Sequence, residues 1–345
     1  MKHKGYLLII SAFAMIFFQS CSDDGQVLHK NITGKANELV VVISNEFWDG
    51  VPGEVIKNTL GQSQLILPQN EPMFDLVNVP REGFKSIFKT TRNILQVNIS
   101  SSVSEPQVTM KDDVWAYPQA TVIVSAKNSE EFESIYTKNE NKIMSYFLAA
   151  EKERLIMNYN KYYEKAVYNV LEKDFNVTMK VPPGFEIADQ KKDFIWYKYE
   201  TPDISQGIIL YTFPYVSDSA FTENYQVRVR DSVLKANIPG PTKGSYMATE
   251  KRIIQLNNYL EHHGNYASEM RGLWRLMNDF MGGPYISLAV LDAANQRVVV
   301  AYGYVYAPGK DKRNYIKQVE AMIYSLKLKD QEKSKKIQDE ISMGN

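Results

Sequence analysis

Tyr285-Ile-Ser-Leu-Ala-Val-Leu-Asp-Ala-Ala-Asn-Gln-Arg-Val-Val-Val-Ala-Tyr-Gly-Tyr-Val-Tyr306 decides the class of fold. Two runs rich in β-branched and aromatic residues, 285–291 and 297–306, flank the turn-forming stretch 292–296, which is the pattern of an antiparallel hairpin. Along the second arm Val298, Val300, Tyr302, Tyr304 and Tyr306 share one face and Val299, Ala301, Gly303 and Val305 the other, because side chains alternate along a strand. The small-residue face predicts the close approach of a helix or another backbone.

Working outward, 194–199 and 208–215 read as further strands of an antiparallel sheet, after an apolar stretch at 177–181 that Pro182-Pro183-Gly184 stops. Phe221, Tyr225, Val229 and Val233 have helical spacing and end before Pro239-Gly240. A last helix over 310–327 is expected to bury Tyr315, Ile316, Val319, Met322, Ile323 and Leu326. These elements define a C-terminal α+β lobe at 176–328, followed by a charged, flexible tail at 329–345.

Upstream, 39–43 is an unbroken run of branched apolar residues, which suits a strand buried on both faces. Pro52 and Gly61 bracket a helix. Strands at 64–67, 74–79, 94–100 and 120–126 and a helix at 81–92 complete an N-terminal α/β lobe at 38–127. Asn128 with Glu131 forms a capping box, and helical spacing continues through Phe132, Tyr136, Ile143 and Phe147 towards Leu171. More than forty helical residues would span over about 60 Å, so the 128–175 connector is expected to break near 139–141 or 149–150. The fold class is therefore α+β: two lobes of mixed or antiparallel sheet with packing helices, joined by a long helical region.

The amino terminus reads as a signal peptide over 1–20: Lys2 and Lys4 precede a run, 6–18, that is apolar apart from Ser11. Thirteen helical residues reach only about 20 Å, short of the roughly 30 Å of a hydrocarbon core. Phe18-Gln19-Ser20-Cys21 resembles the lipobox of bacterial lipoproteins, which implies cleavage before Cys21 and its acylation, palmitate included. Cys21 is the only cysteine, so the remaining chain has no disulfide and no thiolate chemistry. A flexible tether is expected over 21–37. Within it Ser22-Asp23-Asp24 resembles the acidic export signal of surface-exposed Bacteroidetes lipoproteins, implying an outer-membrane protein that is surface-exposed or faces the periplasm.

Balanced charge, 40 basic and 40 acidic residues, excludes an electrostatic nucleic-acid binder. The chain has no H-E-x-x-H, G-x-S-x-G, P-loop or G-x-G-x-x-G pattern, and neither a metal nor a cofactor is expected. Leu67-Pro-Gln-Asn-Glu-Pro-Met-Phe74, Arg92-Asn-Ile-Leu95, Trp115-Ala-Tyr-Pro-Gln119, Arg271-Gly-Leu-Trp274 and Met281-Gly-Gly-Pro284 resemble a family of uncharacterised Bacteroidetes lipoproteins, a domain of unknown function, over about 38–328. The second lobe also resembles the PsbP-like sandwich of a sheet with helices.

The densest mixture of chemistry is Glu261-His262-His263-Gly264 with Glu269, Arg271, Trp274, Arg275 and Asp279, a candidate site for an anion or a sugar. The competing expectation is structural: the histidines cap a helix or sit in a turn, Arg271 pairs with Glu269 or Asp279, and Trp274 fills the core. Glu71, Arg92 and Asn93 form a second candidate, with a fold-locking salt bridge and turn as the competing account. Asp218-Ser219-Ala220 resembles a Bacteroidetes O-glycosylation sequon, with Ser219 the acceptor; Asp231-Ser232-Val233 is a second match. The expectation for the whole is a lipid-anchored lipoprotein, non-enzymatic, serving as a binding or assembly factor for a protein partner in the cell envelope. The alternative is a surface protein that binds glycans or hydrolyses them with paired carboxylates.

Overall fold

The computed structural model describes residues 30–329. The signal peptide, Cys21, Ser22, Asp23, Asp24 and the tail from 330 lie outside the described residues. The tether expected to reach Asn37 is already docked at β1 (Lys30–Asn31), which pairs in parallel with β6 (Ala116–Tyr117); Ile32 N–H then donates to Tyr117 O at 3.2 Å.

β2 (Glu38–Val42) lies between β3 (Asp75–Val79) and β4 (Asn93–Ile99), parallel to both, and so every apolar residue of the run is buried. β7 (Ala120–Ala126) continues the parallel sheet beyond β4. β5 (Gln107–Asp112) closes it as an antiparallel edge whose mixed residues gave no strand signal. After the single turn α1 (Asn45–Trp48), α2 (Val51–Leu60) starts with Pro52 in its first turn and ends at Gly61 as expected. Two expectations are corrected. Residues 64–67 form a loop bridged from Ser63 to Pro72, because Pro68 denies the short run a ladder donor. The helix expected at 81–92 shrinks to a 3-10 turn at Arg81–Gly83 and the single turn α3 (Ser86–Lys89), interrupted after Gly83.

α4 (Ser129–Lys161) runs 33 residues without a break. The side chain of its cap Asn128 accepts from Glu131 N–H at 2.9 Å, and the Glu131 carboxylate accepts from Lys127 N–H at 3.1 Å. The expected interruption at 139–141 does not occur because Asn139 donates its amide to Ile135 O within the helix, and Ala149-Ala150 are strong helix formers. The break falls at 162–164, where Tyr162 turns extended and the Glu164 side chain caps α5 (Lys165–Asp174). The connector is thus two helices built into the cores. α4 packs Phe132, Tyr136, Ile143 and Phe147 against Leu39, Val41 and Leu95, while its end at Tyr159 and α5 with Val167 and Leu171 join the second core.

β8 (Val177–Thr178) pairs with β17 (Lys327–Leu328). The main sheet of the second lobe is antiparallel: β9 (Glu186–Lys191), β10 (Phe194–Glu200), β11 (Ser205–Pro214), β12 (Tyr246–Thr249), β13 (Leu256–His262), β14 (Asn265–Met277), β15 (Gly282–Asp292) and β16 (Arg297–Tyr306). Its order is 12-14-15-16-11-10-9, with β13 also paired to β14. α6 (Glu223–Asn237) covers one face and α7 (Arg313–Tyr324) the other. The small-residue face of β16 receives α7 as expected: a Cβ on Gly303 would stand 2.2 Å from Val319 Cγ1. Helices on both faces of mixed and antiparallel sheets make the molecule an α+β protein of two lobes.

Candidate functional site

The lobes meet where the amino ends of β2, β3 and β4 face α7. Lys312 N–H and Arg313 N–H, the first amides of α7, donate to the two oxygens of Glu71 at 2.7 and 2.8 Å, so a buried carboxylate from one lobe satisfies the positive end of a helix in the other. Arg313 grips Asp75 with both terminal nitrogens, at 3.1 and 2.7 Å. Asn37, held at φ 62° just before β2, donates to Asn314 at 2.7 Å and accepts from Lys317 Nζ at 2.6 Å.

Beside this seam lies a cavity of about 250 Å³ with walls from both lobes. From the first lobe come Arg92 at the foot of β4 and Glu151 and Lys152 on α4. From the second come Arg271 on β14 and Lys317 and Glu320 on α7. Leu148, Leu155, Leu256 and Met73 supply an aliphatic bed, and no aromatic side chain lines the space. Four cations and two carboxylates leave the wall cationic.

Both carboxylates are paired, Glu320 through both oxygens and Glu151 through Oε1 alone. Glu151 accepts from Asn93 at 2.6 Å and from Arg154 at 2.9 Å, and lies 2.9 Å from Arg92 Nε. That last contact is ionic only: Arg92 Nε is off the hydrogen-bonding direction and stays unsatisfied. Glu320 meets Arg271 at 3.0 Å and Lys152 at 3.6 Å. Burial alone would push the Glu320 carboxyl up, but the charge of Arg271 and its hydrogen bond, then Lys152, bring it below the ordinary range. For Arg271 burial works against the charge, and the carboxylates of Glu320 and Glu269 outweigh it, holding the guanidinium charged.

Lys317 differs. Its ammonium bonds only neutral acceptors, Asn37 Oδ1 and, at 3.4 Å, Met73 O, and it sits 5.1 Å from the Phe74 ring. Burial, then the nearby charge of Arg313, pushes it down to about 8. Arg92 has no hydrogen bond from its two terminal nitrogens to any described residue.

The structure splits the first candidate cluster. The stretch 256–277 is a strand pair, so residues three apart face opposite sides. Glu269 and Arg271 point towards α7, where Arg271 Nε and Nη2 bond Glu269 at 2.7 and 3.0 Å and Tyr324 OH bonds Glu269 at 2.6 Å. Trp274 points the other way, 2 % exposed, with Nε1 on Val305 O at 3.2 Å. His263 and Gly264, both at positive φ (49° and 79°), form the two-residue turn of the β13–β14 hairpin. His262 is buried, with Nε2 2.8 Å from Leu326 O, and does not line the cavity; burial lowers its pKa to about 4. Asp279 accepts from Thr242 OH at 2.6 Å and Arg275 lies 3.6 Å from Glu250, both away from Arg271.

The second cluster splits as well: Glu71 locks α7, Asn93 serves Glu151, and only Arg92 faces the cavity. Arg92 and Arg271, one from each candidate cluster, therefore end on one cavity. Glu151, Lys152, Lys317 and Glu320 were missed. For Lys317 and Glu320 the signal was the polar stripe Arg313, Lys317, Glu320, Tyr324 at helical spacing beside the apolar face of the last helix; Glu151 and Lys152 gave none. Ser219 is exposed on the 3-10 turn Asp218–Phe221, its hydroxyl 2.7 Å from that of Ser217. Among the described residues no three His, Cys, Asp or Glu side chains are grouped to hold a metal.

Residues 32–160 match one domain of unknown function, DUF8532, and residues 164–325 match another, DUF4837. The boundary between them coincides with the break after α4. No curated protein matches the chain. Among solved structures, the Ran-binding protein Mog1p of Saccharomyces cerevisiae is similar at 13% identity, over 45% of this chain and 90% of that one, with a TM-score of 0.31. LpqN of Mycobacterium tuberculosis, described as involved in cell envelope biogenesis, is similar at 14% identity, over 43% and 79%, with a TM-score of 0.26. Likenesses this weak carry no argument about function.

Proposed function

We propose that this chain is a lipid-anchored lipoprotein of the bacterial outer membrane, in which the two lobes act as one binding unit around the cavity between them. The observation that carries the binding reading is that cavity, whose walls require both lobes. Its carboxylates support binding over acid catalysis. A general acid needs a raised pKa, whereas Glu320 is held below the ordinary range. The glycan alternative gains nothing here, since sugar rings find no aromatic platform in the cavity. A protein partner in the envelope would be served by the outer faces of the same unit. The anchor rests on the lipobox at Cys21. Among the described residues no helix is long and apolar enough to cross a membrane.

The anchor is tested with Cys21→Ala, expected to leave an unacylated precursor or a soluble product. Membrane recovery equal to wild type, with labelled palmitate still incorporated, overturns it.

A further inference from the structure

We propose that the interlobe cavity binds a small organic carboxylate, its oxygens held by Arg92 and Lys317 and its aliphatic body resting on Leu148, Leu155 and Leu256. This deepens the binding reading above and depends on it.

The charge pattern is the first argument. Glu151 lies between two guanidinium groups, Arg92 at 2.9 Å and Arg154 at 2.9 Å, so one carboxylate serves two cations. Arg154 is further fixed by Pro118 O, Asn93 Oδ1 and Arg92 O, which leaves Arg92 as the group with unused capacity. A guanidinium presents paired donors in a plane that matches a carboxylate, and its Nη groups are not spent on the protein. Across the seam Lys317 is buried with no carboxylate in ion-pair contact, an arrangement that is costly unless an anion arrives.

The other walls select the kind of anion. Inorganic phosphate would satisfy the cations but make no use of three leucines and a methionine. Gln64 also lines the cavity and adds a neutral polar wall. The volume, about 250 Å³, is below the roughly 300 to 1,000 Å³ of drug-sized sites, so the ligand has few heavy atoms. A short-chain acid with an aliphatic body meets these conditions, and 2-hydroxy acids serve as water-soluble probes of it.

The test is calorimetric titration of the full-length protein in detergent with lactate, 2-hydroxyisocaproate, its neutral amide and inorganic phosphate. We expect 2-hydroxyisocaproate to bind more tightly than lactate, the amide to lose at least tenfold, and Arg92→Gln and Lys317→Met each to lose at least tenfold while both variants remain folded by circular dichroism at the titration temperature. Leu155→Phe, which fills the cavity, should abolish binding. An amide that binds as well as its acid, with Leu155→Phe removing both, overturns the carboxylate while keeping the cavity as a site. Phosphate binding without acid binding overturns the organic ligand. Silence from all four probes overturns the proposal and leaves the two-lobe binding unit to be judged on its outer faces.

Discussion

Replacing Arg271 by alanine isolates the energetic weight of the seam. The guanidinium lies between two carboxylates, bonding Glu269 at 2.7 and 3.0 Å and Glu320 at 3.2 Å. Its removal leaves two negative charges facing one another. Glu269 is 5 % exposed and retains only the Tyr324 hydroxyl, and Glu320 retains Lys152 at 3.6 Å. Stranding a buried partner costs about 3 to 5 kcal/mol; the retained contacts and the open side of the cavity place this case near about 3 kcal/mol. At about 2 to 4 °C per kcal/mol for a domain of this size, the melting temperature should fall by roughly 6 to 12 °C. Urea unfolding at pH 7.5 measures the loss, and the double variant R271M/E269Q should recover a large part of it. Acid should narrow the deficit, because carboxylates that lose Arg271 accept protons more readily and the repulsion between them then disappears. A loss under about 1 kcal/mol, as for an exposed pair, refutes the reasoning.

Three further outcomes follow from named contacts. His262 has its pKa lowered to about 4 by burial, so the unfolded chain takes up the proton first as pH falls below about 6.5, and stability should drop by about 3 kcal/mol between there and pH 4. His262→Gln should flatten that slope in unfolding curves at pH 7.5, 6 and 5, and an unchanged slope assigns the acid lability elsewhere. Glu71→Gln keeps one acceptor but removes the charge from the amino end of α7, for a loss of up to about 2 kcal/mol in thermal melts; a wild-type melt contradicts the capping role. Asp23→Ala with Asp24→Ala should reduce protease accessibility on intact cells, and unaltered accessibility reduces the acidic pair to linker.

Regular elements were legible where one physical pattern dominated: the hairpin 285–306, the doubly buried run at 39–43 and the capped start of α4. What escaped was set by partners distant in sequence. Gln107–Asp112 is a strand only because β7 supplies a ladder for an otherwise polar edge. The stretch 261–279 looked like one functional cluster because its residues are close in number, but on a strand Arg271 and Trp274 diverge, and His263 serves the turn. Arg92 and Arg271 were both singled out, yet nothing in their spacing told that they share a cavity, since α7 brings the lobes together there. Lys317 was hidden for a related reason: a lysine beside an apolar helical face reads as solvated, and only the packing of Asn37 and Met73 over it makes it buried.

The contact between Glu71 and the amides of residues 312 and 313 joins positions about 240 apart in the chain. A chain made from its amino end thus has the residues of its parallel sheet and α4 long before α7 exists, and the loop that must close spans 241 of its 345 residues. High contact order of this kind makes the seam slow to form. The cavity, with Asn37 near one end of the described chain and Lys317 near the other, then forms only in chains that extend through α7, so any product cut short of it lacks Lys317 and Glu320 and carries no site.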